Sequence, residues 1–272
     1  MSLLKVGLIG CGRVGLSFAT NLKRAKIIGV NDLDSGRRKK ASILLGCPVK
    51  DLGQLAKTAD VILIATGDDE IGKVARKLRR VGFKKTLIHF SGLLSSKILG
   101  NNNRASIHPL GSFADTKTGK KLMVRTSFII EGDRKGISVA QRLLSSFTDR
   151  FTRIKPEDKP YYHLACVFVS NLLIGLYSMG KRIVKKKKLD IDLLPLVDAT
   201  VHNIKALGIN SAITGPLLRK DVKTLRVHKK ILKKMDAKYG LIYYLLSREV
   251  LDLISVNDED FLTSELRSLL EP

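Results

Sequence analysis

The chain reads as an α/β domain with a mostly parallel, doubly wound sheet, followed by an all-α domain. Three observations carry this. Short β-type runs alternate with helical patterns over residues 1–154, the pattern of a parallel sheet with helical crossovers. A glycine-rich run, Gly10-Cys11-Gly12-Arg13-Val14-Gly15, separates the first strand from the first helix. Strand-like runs stop after Pro156, and segments of helical period follow.

The expected strands cover residues 5–9, 27–30, 61–65, 86–89, 105–107, 127–130 and 151–154. Val61-Ile62-Leu63-Ile64-Ala65 and Leu87-Ile88 are apolar without alternation, as expected of strands covered on both faces. Beyond Pro156, helical segments are expected over 157–187, 191–207, 218–235, 238–254 and 259–270, punctuated by Gly208, Gly215-Pro216 and Gly240. The domains are placed at 1–154 and 155–272. Residues 164–180 carry no charge. They are short for a membrane span and contain Ser170, Asn171 and Ser178, so a buried core helix is expected, with no membrane partner.

Three cysteines, Cys11, Cys47 and Cys166, form no even framework, which suits a reduced, cytoplasmic compartment. Residues 4–10 run straight into the glycine motif and read as a first strand rather than a secretory signal. Net charge is +24. Residues 1–150 hold 28 basic and 11 acidic groups, and residues 151–272 hold 21 and 14, so the excess is spread rather than gathered in a tail. With 6% aromatics and no tryptophan, it reads as a solvated surface and not as a nucleic-acid interface.

The glycine run has the full strand-turn-helix context of a dinucleotide-binding Rossmann motif. Gly10 permits the tight turn, Gly12 lets the backbone approach a pyrophosphate, and Gly15 lets the helix pack on the sheet. Cys11, Arg13 and Val14 complete the loop around the phosphates. Asp32, at the end of the second strand, suits a ribose 2′-hydroxyl and so NAD; Arg37, Arg38, Lys39 and Lys40 suit a 2′-phosphate and so NADP. The cofactor is read as NAD or NADP. No metal site is expected.

Further motifs are Ala65-Thr66-Gly67-Asp68-Asp69-Glu70-Ile71, His89-Phe90-Ser91-Gly92, His108-Pro109-Leu110-Gly111-Ser112-Phe113, Tyr162-His163-Leu164-Ala165, Ser170-Asn171 and Thr214-Gly215-Pro216-Leu217-Leu218-Arg219-Lys220-Asp221. In their order and spacing the chain resembles a family of predicted oxidoreductases that join a Rossmann domain to a helical domain of unknown function, number 2520. More distantly it is similar to pyrroline-5-carboxylate reductases, ketopantoate reductases and β-hydroxyacid dehydrogenases. The resemblance implies a helical domain that builds the substrate pocket and the interface of a homodimer. Three departures stand out. Gly67 takes the place of a proline, Lys220 that of a glycine, and Val167 stands where β-hydroxyacid dehydrogenases carry a catalytic lysine four residues before Asn171.

Hydride transfer needs a proton donor and groups that hold the substrate. Thr66, Gly67 and Asp68 follow a strand and either border the cofactor or cap the next helix. Ser91 is expected toward the nicotinamide, and His89 as a site group or a core histidine. His108, on a loop stiffened by Pro109, is a candidate acid. His163, Val167 and Ser170 share a helical face with Asn171 beside it. Asn171 would orient a carbonyl, and His163 would donate a proton or bind a carboxylate. Thr214 and Arg219 are candidates for the substrate, with Asp221 restraining Arg219 by an ion pair. These residues predict hydride transfer between NAD(P) and a small, carboxylate-bearing carbonyl or imine. The alternative is a redox sensor that binds the same cofactor without turnover.

Overall fold

The computed structural model describes residues 3–255, so the helix expected over 259–270 lies outside the described residues. The chain divides into two compact units, Met1–Leu172 and Leu173–Pro272.

The first unit is built on a seven-stranded sheet of order β2-β1-β3-β4-β5-β6-β7. The strands are β1 Leu4–Ile9, β2 Ala25–Asn31, β3 Val61–Ile64, β4 Thr86–His89, β5 Asn103–Pro109, β6 Phe128–Gly132 and β7 Phe151–Arg153. All pairings are parallel except β5 with β6, so β6 and β7 run against the rest. The helices of this unit are α1 Arg13–Ala19, α2 Ser35–Leu45, α3 Leu52–Thr58, α4 Asp68–Arg80, α5 Thr116–Arg125, α6 Arg134–Leu144 and α7 Lys159–Val167.

The unbroken apolar strands go where their composition sends them. Val61 and Leu63 enter the core shared with Phe18, Ile107 and Phe128, while Ile62 and Ile64 enter the one shared with Leu55, Ile71 and Leu78. Each such side chain contributes roughly 1.5–3 kcal/mol by leaving water. Chain order reverses between β2-β1 and β1-β3, which opens a crevice at the carboxyl ends of β1 and β3, the usual ligand position of this sheet type.

The second unit holds α8 Leu173–Lys186, α9 Leu194–Leu207, α10 Val222–Leu232 and α11 Ala237–Ser255. Its buried cluster is small: Leu217, Leu225, Leu251 and Ile254, with Tyr243, Tyr244 and Val250 packed against it. Asp221 caps α10, accepting from the Thr224 backbone N–H (3.1 Å) and hydroxyl (2.8 Å). It thus serves as a helix cap, and the Arg219 charge is among the causes that hold its carboxyl below the usual range.

The segment expected as one buried helix over 157–187 differs in two ways. A wide π turn at Phe168–Leu172 interrupts it between α7 and α8. Its apolar side chains also face outward. Phe168 is 61%, Val169 74% and Ile174 66% exposed among the described residues. Pro156–Lys186 is, among the described residues, the one helical stretch long and apolar enough by length and composition to cross a membrane. Core helices of soluble proteins meet the same criterion.

Candidate active site

A cleft of about 410 Å³ lies in the first unit, lined among others by Gly12, Val14, Thr66, Asp68, Ser91 and Phe113. It is assembled from the turns after β1, β3, β4 and β5. The glycines divide the work as steric reasoning requires. Gly10 has φ +90°, and a Cβ there would meet the Ala65 carbonyl at 2.5 Å. A Cβ on Gly15 would meet the Gly10 oxygen at 2.6 Å. A Cβ on Gly12 would meet nothing within 4 Å. Two glycines therefore close the turn against the sheet, and the third leaves its backbone open to the cleft. Gly12 is the N-cap of α1 without any side-chain cap, and the first turn carries no acidic group.

Asp32 stands beside this turn. Its carboxylate accepts from the backbone N–H of Cys11 (2.7 Å) and of Asp34 (2.9 Å), which fixes the end of β2 onto the glycine loop. Arg37 also lines the cleft, and Arg13 donates to the Ala114 carbonyl at 3.1 Å. The Cys11 thiol is buried against the Asn31 carbonyl, and burial pushes its pKa up to about 12. It is an inert packing group.

Thr66 and Asp68 do not cap α4. The N-cap is Gly67, without a side-chain hydrogen bond. Instead the Asp68 carboxylate accepts from the Ser91 hydroxyl at 2.8 Å, tying the turn after β3 to the turn after β4. The Ser91 oxygen in turn accepts from the backbone N–H of Leu93 and Leu94. His89 is a core histidine, fully buried, with Nδ1 accepting from the Ser91 N–H at 3.1 Å. Burial first, and then the Lys159 charge, lower its pKa to about 3, so it is neutral.

His108, next to last in β5, meets α7. Its Nδ1 lies 2.6 Å from the Tyr162 hydroxyl. His163 lies beside it, ring centroids 6.5 Å apart. Both imidazoles press on Gly92: a Cβ there would lie 2.7 Å from His163 Cδ2 and 2.9 Å from His108 Nε2. Only glycine admits the two rings together. Burial, then the Lys159 and His163 charges, lower the His108 pKa to about 4. Burial raises that of Tyr162, which keeps its proton. The pair is thus a neutral phenol and a neutral imidazole sharing one hydrogen bond, whose direction follows the imidazole tautomer.

Sequence reasoning named Tyr162 within a motif but gave it no role, and it missed Lys159. Lys159 is 1% exposed. Its ammonium donates to the Ser91 carbonyl (2.7 Å) and the Ser106 hydroxyl, and lies 3.9 Å from Glu131. A signal was present: Lys159 precedes His163 by one helical turn and shares its face, with Tyr162 adjoining.

The remaining candidates make other contacts. In the π turn, Ser170 donates to the Cys166 carbonyl at 2.6 Å and lies 3.1 Å from the exposed Asn171 amide oxygen. Thr214 and Arg219 belong to the second unit, where Gly215 (φ +99°) makes the turn between them. Among the described residues, no group of three His, Cys, Asp or Glu side chains is placed to hold a metal ion.

Residues 1–111 match the family model of the Rossmann-like domain, and residues 126–250 match that of the domain of unknown function DUF2520. No curated protein sequence matches the chain. The fold is similar to that of protein TM1727 from Thermotoga maritima, with 26% identity, 92% of this chain and 98% of that chain covered, and a TM-score of 0.76. An imine reductase from Pseudomonas sp. is similar at 14% identity, covering 86% of this chain and 88% of that one, with a TM-score of 0.63. The NADP-bound pyrroline carboxylate reductase of Plasmodium falciparum matches over 100% of both chains at 17% identity, with a TM-score of 0.55. Along the chain, a segment that matches the Rossmann-like model is thus followed by one that matches the DUF2520 model.

Proposed function

We propose that this chain is an NAD(P)-dependent oxidoreductase acting on a small carbonyl or imine. The observation that carries the reading is the division of labour among the glycines. Gly10 and Gly15 close the turn, while Gly12 leaves uncapped backbone facing a cleft at the switch point of the sheet. The residues present fit a dinucleotide. Gly10 to Gly15 would hold the pyrophosphate, Asp32 a ribose, and Thr66, Gly67, Asp68 and Ser91 the path toward the nicotinamide. The fold it shares with an imine reductase and an NADP-bound pyrroline carboxylate reductase supports the same reading.

A bound nicotinamide supplies or accepts the hydride. The protein's own task is to hold a proton and orient the substrate. With Tyr162 donating to His108 Nδ1, the Nε2–H is held beside Gly92, where it can donate a hydrogen bond to a carbonyl oxygen or imine nitrogen as charge develops there. His163, against the same glycine, narrows the space around that proton. Asn171 and Ser170 are assigned to the substrate from the helical face. For Thr214 and Arg219, and for a carboxylate on the substrate, the assignment rests on the family resemblance. The exposed apolar face around Phe168 and Ile174 is assigned to a second copy of the chain, making a homodimer.

The test is binding and turnover of NADH and NADPH with a panel of 2-keto acids and cyclic imines. Gly12→Ala should weaken cofactor binding by about 10-fold or more with a nearly unchanged melting temperature, because the new Cβ meets cofactor and not protein. Asp32→Ala should weaken NADH and Arg37→Ala should weaken NADPH, and whichever loss is larger identifies the cofactor. Failure of both cofactors to bind would refute the reading. Binding with no turnover on any panel member would make the chain a redox sensor.

A further inference from the structure

The site rests on a buried polar row that the proposed chemistry does not use. His89, Ser106 and Glu131 are register partners on β4, β5 and β6, so their side chains stand side by side on one face of the sheet. Glu131 is 1% exposed, and its two oxygens accept from the Ser96 backbone N–H (2.6 Å) and hydroxyl (2.8 Å). Lys159 closes the row from α7. Its ammonium reaches the Ser106 hydroxyl and the Ser91 carbonyl and lies near Glu131. The next residue along β5 on that same face is His108. The residue after Ser91 is Gly92, against which His108 and His163 pack.

A buried ammonium is costly, and lysine is seldom found fully buried without a reason. This one binds only groups that carry the site. We propose that Lys159 is a positioning residue of the His108 site: it holds the Ser91-Gly92 turn in place and repels a second proton from the imidazole. Its effect reaches the substrate through His108, so the proposal rests on the reading of His108 as the proton-holding group. The titratable and charged groups facing that imidazole are Lys159, Tyr162 and His163 on α7 and His89 on β4, while Glu131 on β6 and Asp68 on α4 act on Lys159 itself. Of these, Lys159 is the cation held within the row beneath it. The low His108 pKa of about 4, with the Lys159 charge as its second cause after burial, agrees with this placement.

The experiment is an NMR titration of the histidine ring protons, His108 being assigned by His108→Gln, in the wild type, Lys159→Arg, Lys159→Met and Lys159→Met/Glu131→Gln. The double variant removes both members of the buried pair and so keeps the test open if Lys159→Met alone fails to fold. In the folded methionine variant the His108 midpoint should rise by about one pH unit or more, and in Lys159→Arg it should stay near the wild-type value. An unchanged midpoint in a folded methionine variant would overturn the proposal. This readout needs no substrate. A chain without reductase activity would therefore sink the proposed function and leave this result standing on its own.

Discussion

The central strands and the helical stretch after Arg153 are both strongly apolar, yet they meet opposite fates. Leu63 and Ile64 are fully buried, each in one of the two cores that sandwich the sheet. Phe168, Val169 and Ile174 stand largely exposed. The difference is one of supply. A parallel strand in a doubly wound sheet is covered by helices that its own crossovers deliver. The helical stretch has no such guarantee, and among the described residues its apolar side stays largely uncovered. Apolar sequence thus measures a demand for burial, and topology decides whether the chain itself meets it. On the reading above, a second copy meets the rest.

That contrast can be broken in stages. Leu63→Ala should cost the most, about 2–5 kcal/mol, read as a fall in the urea midpoint, because the sheet cannot collapse around the gap. A cost below 1 kcal/mol would deny that this strand is the packed centre. Acidification comes next. His89 is neutral in the fold with a pKa of about 3, against 6.5 when free, so the unfolded chain binds more protons between those values. Stability is therefore full above about pH 6.5 and is lost as pH falls through that window, by about 1–2 kcal/mol between pH 7 and 5. His89→Gln should flatten this part of the profile, and an unchanged slope would remove His89 from the core.

Asp221→Ala should cost about 1 kcal/mol through loss of the α10 cap, measured by thermal melting. Ile174→Ala should have the smallest effect on folding of the isolated chain, within about 0.5 kcal/mol. Light scattering at rising concentration would then show whether Phe168→Glu turns a dimer into a monomer. A wild type that stays monomeric would remove the second copy from the account and sharpen the contrast into a real exposure.

Much of the first unit could be read from residues alone. The strand at 86–89 appears at Thr86–His89, and the others differ only at their ends. The glycine run behaves as its spacing implies. The polar cluster was only half legible. His108, His163 and Ser91 stood out as polar residues next to predicted strand ends or on an apolar helix. Lys159 did not, because a lysine in a sequence reads as surface, and its burial depends on Ser91, 68 residues earlier in the chain. The role of Tyr162 was hidden for the same reason: it rests on a single hydrogen bond to His108, 54 residues away. The π turn at Phe168–Leu172 was invisible too, since helical periodicity gives no sign of where a helix widens.

By itself the sequence determined the alternation of strands and helices, the place of the glycine turn, and the change to all-helical structure after Pro156. These follow from local rules: periodicity, the stereochemistry of glycine and proline, and the apolar content of short runs. Tertiary structure alone decided that Gly92 is squeezed between two imidazoles and that Tyr162 completes His108. It alone decided that a lysine lies buried under the site and that an apolar helix faces outward. Each of these depends on groups distant in the chain and brought together by the sheet, and no window of neighbouring residues contains both partners.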